Sequence, residues 1–165
     1  MQAKLKVQLT ADDLFRFNMH QTYTTIHGWI SVAVAMLVFV MAVTEVRQGR
    51  LPYALLYGAM AIVIIAYIPF TLKTRAKHTI KTNEVLSKPL DYFFSEKAIE
   101  VMQGEEKGEL PWDQVYKMIA TKRHIIIYSN RINAYIIPRE QAKEQWDTIW
   151  EIAKKQLPPY RIRMK

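Results

Sequence analysis

The sequence predicts an α+β membrane protein. A two-helix transmembrane hairpin precedes a small antiparallel β-barrel or sandwich, which a C-terminal helix closes. Three observations predict this fold: two apolar segments, a short polar link between them, and a following series of short β-like runs. The predicted organisation is an N-terminal strand and amphipathic helix start in residues 1–27, a transmembrane hairpin in residues 28–71, and a β domain in residues 72–165.

The N-terminal residues predict a strand that leads into a helix. Apolar and polar side chains alternate from Lys4 to Leu9, which is the period of a half-buried strand. Thr10 and Asp13 have the spacing of a capping box, so we expect a helix from Ala11 onward. Because a single strand is unstable in water, this strand must join the sheet predicted after the hairpin.

Two segments are long and apolar enough to cross a bilayer as helices. Residues 28–46 carry no charge before Glu45, and residues 51–71 carry none. Each has about 20 residues, which matches a hydrocarbon core of about 30 Å. Neither segment has the polar face of a soluble amphipathic helix, so a buried core helix is the weaker interpretation. No cleavage pattern follows the first segment, so we expect no signal peptide.

The link at residues 47–52 is short, so the two helices must be antiparallel and both chain ends must emerge on one side. This link carries Arg47 and Arg50, which can pair with Glu45. The flanks outside the hairpin carry more basic residues, namely Lys4, Lys6, Arg16, Lys73, Arg75, Lys77 and Lys81. Because the more basic side of a membrane protein is normally cytoplasmic, we expect both termini in the cytoplasm.

Four basic residues directly follow the second apolar segment: Lys73, Arg75, Lys77 and Lys81. We expect them to contact anionic lipid at the membrane surface, at about 1 kcal/mol per residue. In an extended chain the first three would share one face. A specific phosphoinositide-like or nucleic-acid site is the weaker alternative, and no interleaving of arginine with aromatic residues supports nucleic-acid binding.

Short β-like runs separated by turn residues predict an antiparallel meander of seven strands. The runs cover residues 79–86, 90–95, 98–103, 107–110, 114–121, 124–129 and 133–138. Residues 139–157 place apolar side chains at helical spacing, so we expect one amphipathic helix there.

Seven strands followed by a C-terminal helix is the plan of a pleckstrin-homology-like domain. The strand pair "YFFSEKAIEV", the turn "WDQVYKMI" and the hairpin "HIIIYSNRINAYIIPRE" make the chain resemble the YcxB-like family of bacterial membrane proteins. The resemblance covers nearly the whole chain and is most specific between Trp112 and Glu140, whereas the transmembrane half matches only in layout. It implies a pleckstrin-homology-like domain and a bacterial cell-membrane location, and it implies no catalytic residues.

No motif in the sequence indicates catalysis, a cofactor or a metal. The chain has no cysteine, which excludes disulfides and thiolate chemistry. The four histidines, His20, His27, His78 and His124, lack metal-ligand spacing, and we expect His124 to be solvated at the start of its strand. There is no nucleophile elbow and no phosphate-binding glycine loop. We therefore expect no enzyme.

Two residues are candidate contacts for a partner: Arg131 at the tip of the last strand pair, and Trp112, for which a core position is favoured. The leading hypothesis is a non-enzymatic, membrane-tethered module that engages a membrane protein, a peptide or its own copy, but no nucleic acid. A free sheet edge can accept an added strand. The alternative is an accessory or immunity-type protein associated with a peptide or antibiotic exporter. Two helices without buried charge offer no transport pathway of their own.

Overall fold

The computed structural model describes residues 1–164, which form two compact units. The first, called the β unit, joins residues 1–13 to the chain from Thr79 onward. The second, called the helical unit, comprises Leu14–His78. The chain is therefore an α+β protein in which the helical unit is inserted between the first strand of the β unit and the remaining strands.

Along the chain, one strand is followed by four helices, six strands, two helices and a last short strand. The helices are α1 (Ala11–Thr24), α2 (Ile26–Arg47), α3 (Leu51–Thr82), α4 (Glu84–Ser87), α5 (Arg139–Ala142) and α6 (Gln145–Gln156). The strands are β1 (Ala3–Val7), β2 (Leu90–Phe94), β3 (Ala98–Gln103), β4 (Glu106–Pro111), β5 (Lys117–Ala120), β6 (His124–Tyr128), β7 (Ala134–Pro138) and β8 (Ile162–Met164). Two 3₁₀ turns, Trp112–Gln114 and Pro159–Arg161, precede β5 and β8.

Two helices of the described chain are long and apolar enough to cross a membrane, judged by length and composition: Gly28–Arg47 and Leu51–Thr82. Their buried positions include small residues at heptad spacing, namely Ala35, Ala42, Ala54 and Ala61. Small residues allow helix backbones to approach closely. Large side chains such as Phe39, Leu55 and Phe70 are exposed instead. These helices thus place small residues inside and large apolar residues outside, the reverse of a soluble helix.

A tight turn joins α2 to α3. Gly49 has a φ of +74°, which glycine adopts without steric cost. The Arg50 Nε atom lies 2.7 Å from Glu45 Oε2, and the Arg50 backbone N–H donates to the Glu45 carbonyl at 3.0 Å. The expected pairing of these residues is confirmed, and it offsets the only acidic charge in the two apolar helices.

The chain bends sharply between α1 and α2. Thr25 is extended there, with φ −106° and ψ 161°. A Cβ atom at Gly28 would lie 2.6 Å from the carbonyl oxygen of Thr22, closer than any side chain permits. The Trp29 Nε1–H donates to the Tyr23 carbonyl at 3.2 Å across the same bend. Glycine at position 28 therefore allows the two helix ends to approach.

Two four-stranded sheets build the β unit. The first is antiparallel in the order β1-β2-β3-β4, and β1 pairs with β2 so that Leu5 lies opposite Tyr92 and Val7 opposite Leu90. This pairing confirms that the N-terminal strand belongs to the sheet after the hairpin. The second sheet has the order β7-β6-β5-β8, in which β8 runs parallel to β5.

The core of the β unit lies where the two sheets and α6 meet. All five residues of β6 are buried, as expected for a central strand covered on both faces. The ring of Tyr92 in the first sheet meets Tyr135 in the second edge-on, with centroids 6.0 Å apart. The helix α6 buries Ile149 and Ile152, and both α5 and α6 contact β1.

The predicted barrel is wrong, because neither sheet closes on itself. Each sheet of four strands keeps two edge strands, and the strand order of the two sheets is not continuous. Alternation along a strand shows which face is buried, but closure also depends on strand tilt and stagger, which alternation does not encode.

Two other predictions about elements also need correction, and one strand was missed. Residues 79–86 are helical instead of extended, because α3 continues to Thr82 and Asn83 caps α4 by accepting the Leu86 N–H at 3.1 Å. The single helix predicted at residues 139–157 is interrupted at Lys143, where φ is +42°. The last strand, β8, was not predicted.

Candidate functional site

A groove of about 420 Å³ opens between β4, an edge of the first sheet, and β7, an edge of the second. We call it the edge groove. Its apolar lining consists of Leu9, Val85, Leu86, Leu90, Tyr92, Val101, Ala134, Tyr135 and Ile136. Gln103, Glu106 and Lys107 supply polar groups to the same lining. Burial, with Tyr135 as a lesser cause, raises the pKa of Tyr92, so this phenol stays neutral.

The other sheet edges offer less room for a partner. Gln141 binds the end of β1 reciprocally: its side-chain oxygen accepts the Gln8 N–H at 2.8 Å, and its amide donates to the Gln8 carbonyl at 2.8 Å. The helices α5 and α6 also contact β1. The edge strand β8 has only three residues. By contrast, β4 has six residues and β7 has five, and both border the edge groove.

The exposed strand β4 carries charges that give its edge an acidic character. Glu106 and Glu109 are exposed, whereas Lys107 Nζ is already paired with Glu100 Oε2 at 2.9 Å. Edge strands with charged side chains resist uncontrolled pairing with other sheets. The same charges favour a partner segment that carries cations.

One wall of the edge groove is held by a side chain from β3. The Gln103 Nε2 amide donates to the Val85 carbonyl at 2.7 Å and to the Lys88 carbonyl at 3.3 Å. These bonds tie the α4 segment to the first sheet. Val85 and Leu86 of α4 then form apolar wall beside the strands.

The four basic residues predicted to lie at the membrane surface are all exposed, and all lie in α3: Lys73, Arg75, Lys77 and Lys81. The extended chain assumed for them is wrong. At about 100° per residue, Lys73, Lys77 and Lys81 share one helix face and Arg75 points to the opposite side. We call these three lysines the lysine stripe. Its contact with anionic lipid stays a prediction.

The two residues predicted as partner contacts lie apart from the edge groove lining. Arg131 is exposed in the turn between β6 and β7, which Asn130 Oδ1 organises by accepting the N–H groups of Ile132 and Asn133 at 2.8 and 2.7 Å. Trp112 is buried, and its Nε1–H donates to the Ser95 carbonyl at 2.8 Å. A partner contact by either residue stays a prediction.

His124 forms a buried polar pair with Asp13. Its Nε2 atom lies 2.9 Å from Asp13 Oδ1, and His124 is only 5 % exposed, so the expectation of a solvated histidine is wrong. Burial by itself would raise the pKa of Asp13, but hydrogen bonds from His124 and Thr10 outweigh burial and lower it. Among the described residues, no group of three acidic or histidine side chains is placed to hold a metal.

Sequence reasoning missed the edge groove because its walls come from distant parts of the chain, from Leu9 to Ile136. The available signal was the exposed, charged run "GEEKGEL", which marks an edge strand. Nothing in the local sequence showed that a second edge would lie opposite this run.

Residues 94–152 match a family model described as YcxB-like protein. This match confirms the resemblance to the YcxB-like family for the stretch from the end of β2 into α6. The helical unit lies outside the matched residues. No curated protein and no solved structure matches the chain.

Proposed function

We propose that this chain is a non-enzymatic interaction module anchored to the inner face of a bacterial cell membrane. The helices α2 and α3 form the anchor. Support comes from their length, from their lack of charge apart from the Glu45–Arg50 pair and the basic ends, and from their outward-facing large apolar residues. A surface of large apolar side chains is more stable in contact with lipid tails than with water.

Both termini are cytoplasmic in this proposal. The β unit contains residues from before and after the two apolar helices, so both flanks must lie on one side of the bilayer. Seven basic residues lie in the two segments that flank the hairpin, namely Lys4, Lys6, Arg16, Lys73, Arg75, Lys77 and Lys81. The excess of basic residues favours the cytoplasm.

The β unit is a pleckstrin-homology-like domain in this proposal. Its support is the element order: an antiparallel sheet of four strands, then the meander β5-β6-β7, then the helix α6. Two features are additions to that plan. The helical unit lies between β1 and β2 in the chain, and β8 adds a parallel strand beside β5.

The edge groove binds an extended peptide segment of a partner protein. The single observation that carries this step is the placement of two open sheet edges, β4 and β7, on either side of an apolar groove of about 420 Å³. An added strand would gain backbone hydrogen bonds from an edge and bury alternate side chains in the groove. The exposed Glu106 and Glu109 favour a segment that is apolar on one face and basic at its rim.

Photo-crosslinking in native membranes tests this proposal. A photoreactive amino acid at Gly108, where a Cβ atom would make an ordinary contact of 3.8 Å with the Val101 carbonyl oxygen, should form one discrete crosslinked product. The same probe at Lys122, an exposed turn residue outside the groove lining, is the matched control and should form none.

A groove-filling variant provides the second arm of this experiment. Ala134→Trp should remove the product at Gly108, because Ala134 lines the groove and is only half-buried. Lys122→Trp should leave the product unchanged. Equal crosslinking from both probe positions, or a product that survives Ala134→Trp, would mean that the groove is not the binding surface.

A further inference from the structure

A second pocket, of about 380 Å³, lies beside the parallel strands β5 and β8, away from the edge groove. Its lining consists of Tyr116, Lys117, Tyr160, Arg161 and Arg163. Three of these five residues are cations, and no carboxylate appears among the described lining residues. We call it the cationic pocket. The predicted functions of the chain make no use of it.

The fold brings these cations together from distant parts of the sequence. Parallel pairing places Ile162 opposite Met118 and Arg163 opposite Ile119. Arg161, the last residue of the 3₁₀ turn before β8, therefore comes near Lys117, the first residue of β5. Lys117, Arg161 and Arg163 all line the pocket. The unpredicted strand β8 is thus what assembles the pocket.

The side chain of Arg161 is held in place before any ligand arrives. One of its terminal nitrogens donates to the Asp113 carbonyl at 3.1 Å and to the Val115 carbonyl at 3.0 Å. A guanidinium has five N–H donors in a planar fork, so others remain for a ligand. The Lys117 Nζ atom is fixed 4.4 Å above the Tyr128 ring. Such preorganised groups lose little freedom on binding.

Among the described residues, no carboxylate lines the cationic pocket to balance its charges. In the part of the chain that the structure describes, no carboxylate forms an ion pair with Lys117, Arg161 or Arg163. Clustered like charges repel one another, and an anion in the pocket would relieve that repulsion. The exposed rings of Tyr116 and Tyr160 form walls beside the cations and can add hydroxyl donors.

We propose that the cationic pocket binds a phosphate-bearing anion. A phosphate monoester carries close to two negative charges and three acceptor oxygens, which suits three cations better than a single carboxylate would. Arginine forks match phosphate geometry, and lysine adds a point charge. The phosphate can belong to a soluble compound or to a lipid headgroup, since both present the same group.

Titration of the full chain in nanodiscs of neutral phosphatidylcholine tests the site, with inorganic pyrophosphate as the probe. Binding should saturate at one site, and either Lys117→Gln or Arg163→Gln should raise the dissociation constant about tenfold or more, as expected for the loss of one charge-assisted contact. These two variants spare the backbone contacts of Arg161. Lys97→Gln, which removes an exposed cation in the turn between β2 and β3, should leave binding unchanged.

A second titration identifies the source of the phosphate. If the ligand is a lipid headgroup, phosphatidic acid in the nanodisc should compete and raise the dissociation constant of pyrophosphate. If the ligand is soluble, phosphatidic acid should have no such effect, and either result supports a phosphate site. Binding that does not saturate, or that Lys117→Gln and Arg163→Gln weaken no more than Lys97→Gln does, would overturn the proposal.

Discussion

Asp13 caps α1 and at the same time anchors β6. Its side chain accepts the backbone N–H of Thr10 at 3.0 Å, its own N–H donates to Thr10 Oγ1 at 3.2 Å, and its second carboxylate oxygen lies 2.9 Å from His124 Nε2. The carboxylate thereby satisfies donors at a helix start and on a buried ring. Both contacts lie within the β unit.

Replacing Asp13 with Asn should lower the free energy of unfolding at pH 7 by about 1–3 kcal/mol, because a charge-assisted bond and a helix cap are both weakened. Urea titration of the detergent-solubilised chain, followed by tryptophan fluorescence, measures this difference. Asp147→Asn, an exposed substitution in the first turn of α6, should change it by less than about 0.5 kcal/mol.

The stability difference between the Asp13→Asn variant and the wild type should depend on pH. The pKa of Asp13 is lower in the folded protein than its ordinary value of 3.8. A lowered pKa stabilises the fold above the unfolded pKa, and that stability is lost as the pH falls through the folded pKa. The difference should therefore shrink below about pH 4. A difference that stays constant down to pH 2 would show that the charge of Asp13 contributes nothing.

At the scale of single residues, side-chain hydrogen bonds between neighbours in the sequence were predictable, and those between distant residues were not. The capping pair of Thr10 and Asp13 is three residues apart, so its spacing was visible in the sequence. The partner of His124 is 111 residues away, so nothing near His124 indicated that its ring would be buried and bonded.

At the scale of elements, β1 should be essential to the β unit. Val7 is fully buried opposite Leu90, so Val7→Asp would place an unpaired charge in the core. We expect a loss of about 3–5 kcal/mol, enough to make the β unit sensitive to protease. Lys4→Asp, at an exposed position of the same strand, is the control and should leave protease resistance intact.

The lysine stripe of α3 should respond to the charge of the lipid. In nanodiscs of phosphatidylglycerol, the triple change of Lys73, Lys77 and Lys81 to Gln should reduce the thermal stability that this lipid adds over phosphatidylcholine. The expected loss is about 1 kcal/mol per lysine at low salt, and less at physiological ionic strength.

Arg75→Gln is the matched control for the lysine stripe, since Arg75 lies on the opposite side of the same helix. It should retain most of the stabilisation by phosphatidylglycerol. An equal loss from Arg75→Gln and from the triple variant, after correction for the number of charges, would mean that the stripe has no special orientation toward the lipid.

Strands with alternating side chains were predictable, whereas the end of α3 was not. The seven strands β1 to β7 lie within or next to their predicted runs, because alternation reports burial on one face. The residues "KTRAKHTIKT" have no apolar period, and their last part, from Thr79 onward, was wrongly predicted to be a strand. Helix α3 continues through them by propagation from its apolar part, where each added residue forms one further bond.

At the scale of the whole molecule, the insertion of the helical unit between β1 and β2 is the feature with most consequence. Because β2 (Leu90–Phe94) follows both apolar helices in the chain, β1 can pair with it only after both helices have been synthesised. In the proposed membrane anchor, the pairing of β1 with β2 requires the residues before α2 and after α3 to lie on one side of the bilayer. This step of the proposal does not depend on the basic residues that flank the hairpin.

The sequence predicted two long apolar helices joined by a short turn, but not the shape of the β unit. The helices were predictable because apolar length is a local property of the sequence. The orientation drawn from the basic residues stays a prediction. Whether a groove opens between the two sheets depends on where β4 and β7 lie. The sequence does not show this, because the two strands are far apart along the chain. The edge groove and the cationic pocket are both products of such distant pairings.

Thiol labelling in intact cells tests the membrane anchor most directly, because the chain has no native cysteine. Gln48→Cys lies in the exposed turn between α2 and α3, and Lys107→Cys lies on the exposed strand β4. A membrane-impermeant maleimide should label position 48 in intact cells and position 107 only after the membrane is permeabilised. Labelling of position 107 in intact cells, or equal labelling of both positions there, would contradict the cytoplasmic, membrane-anchored module.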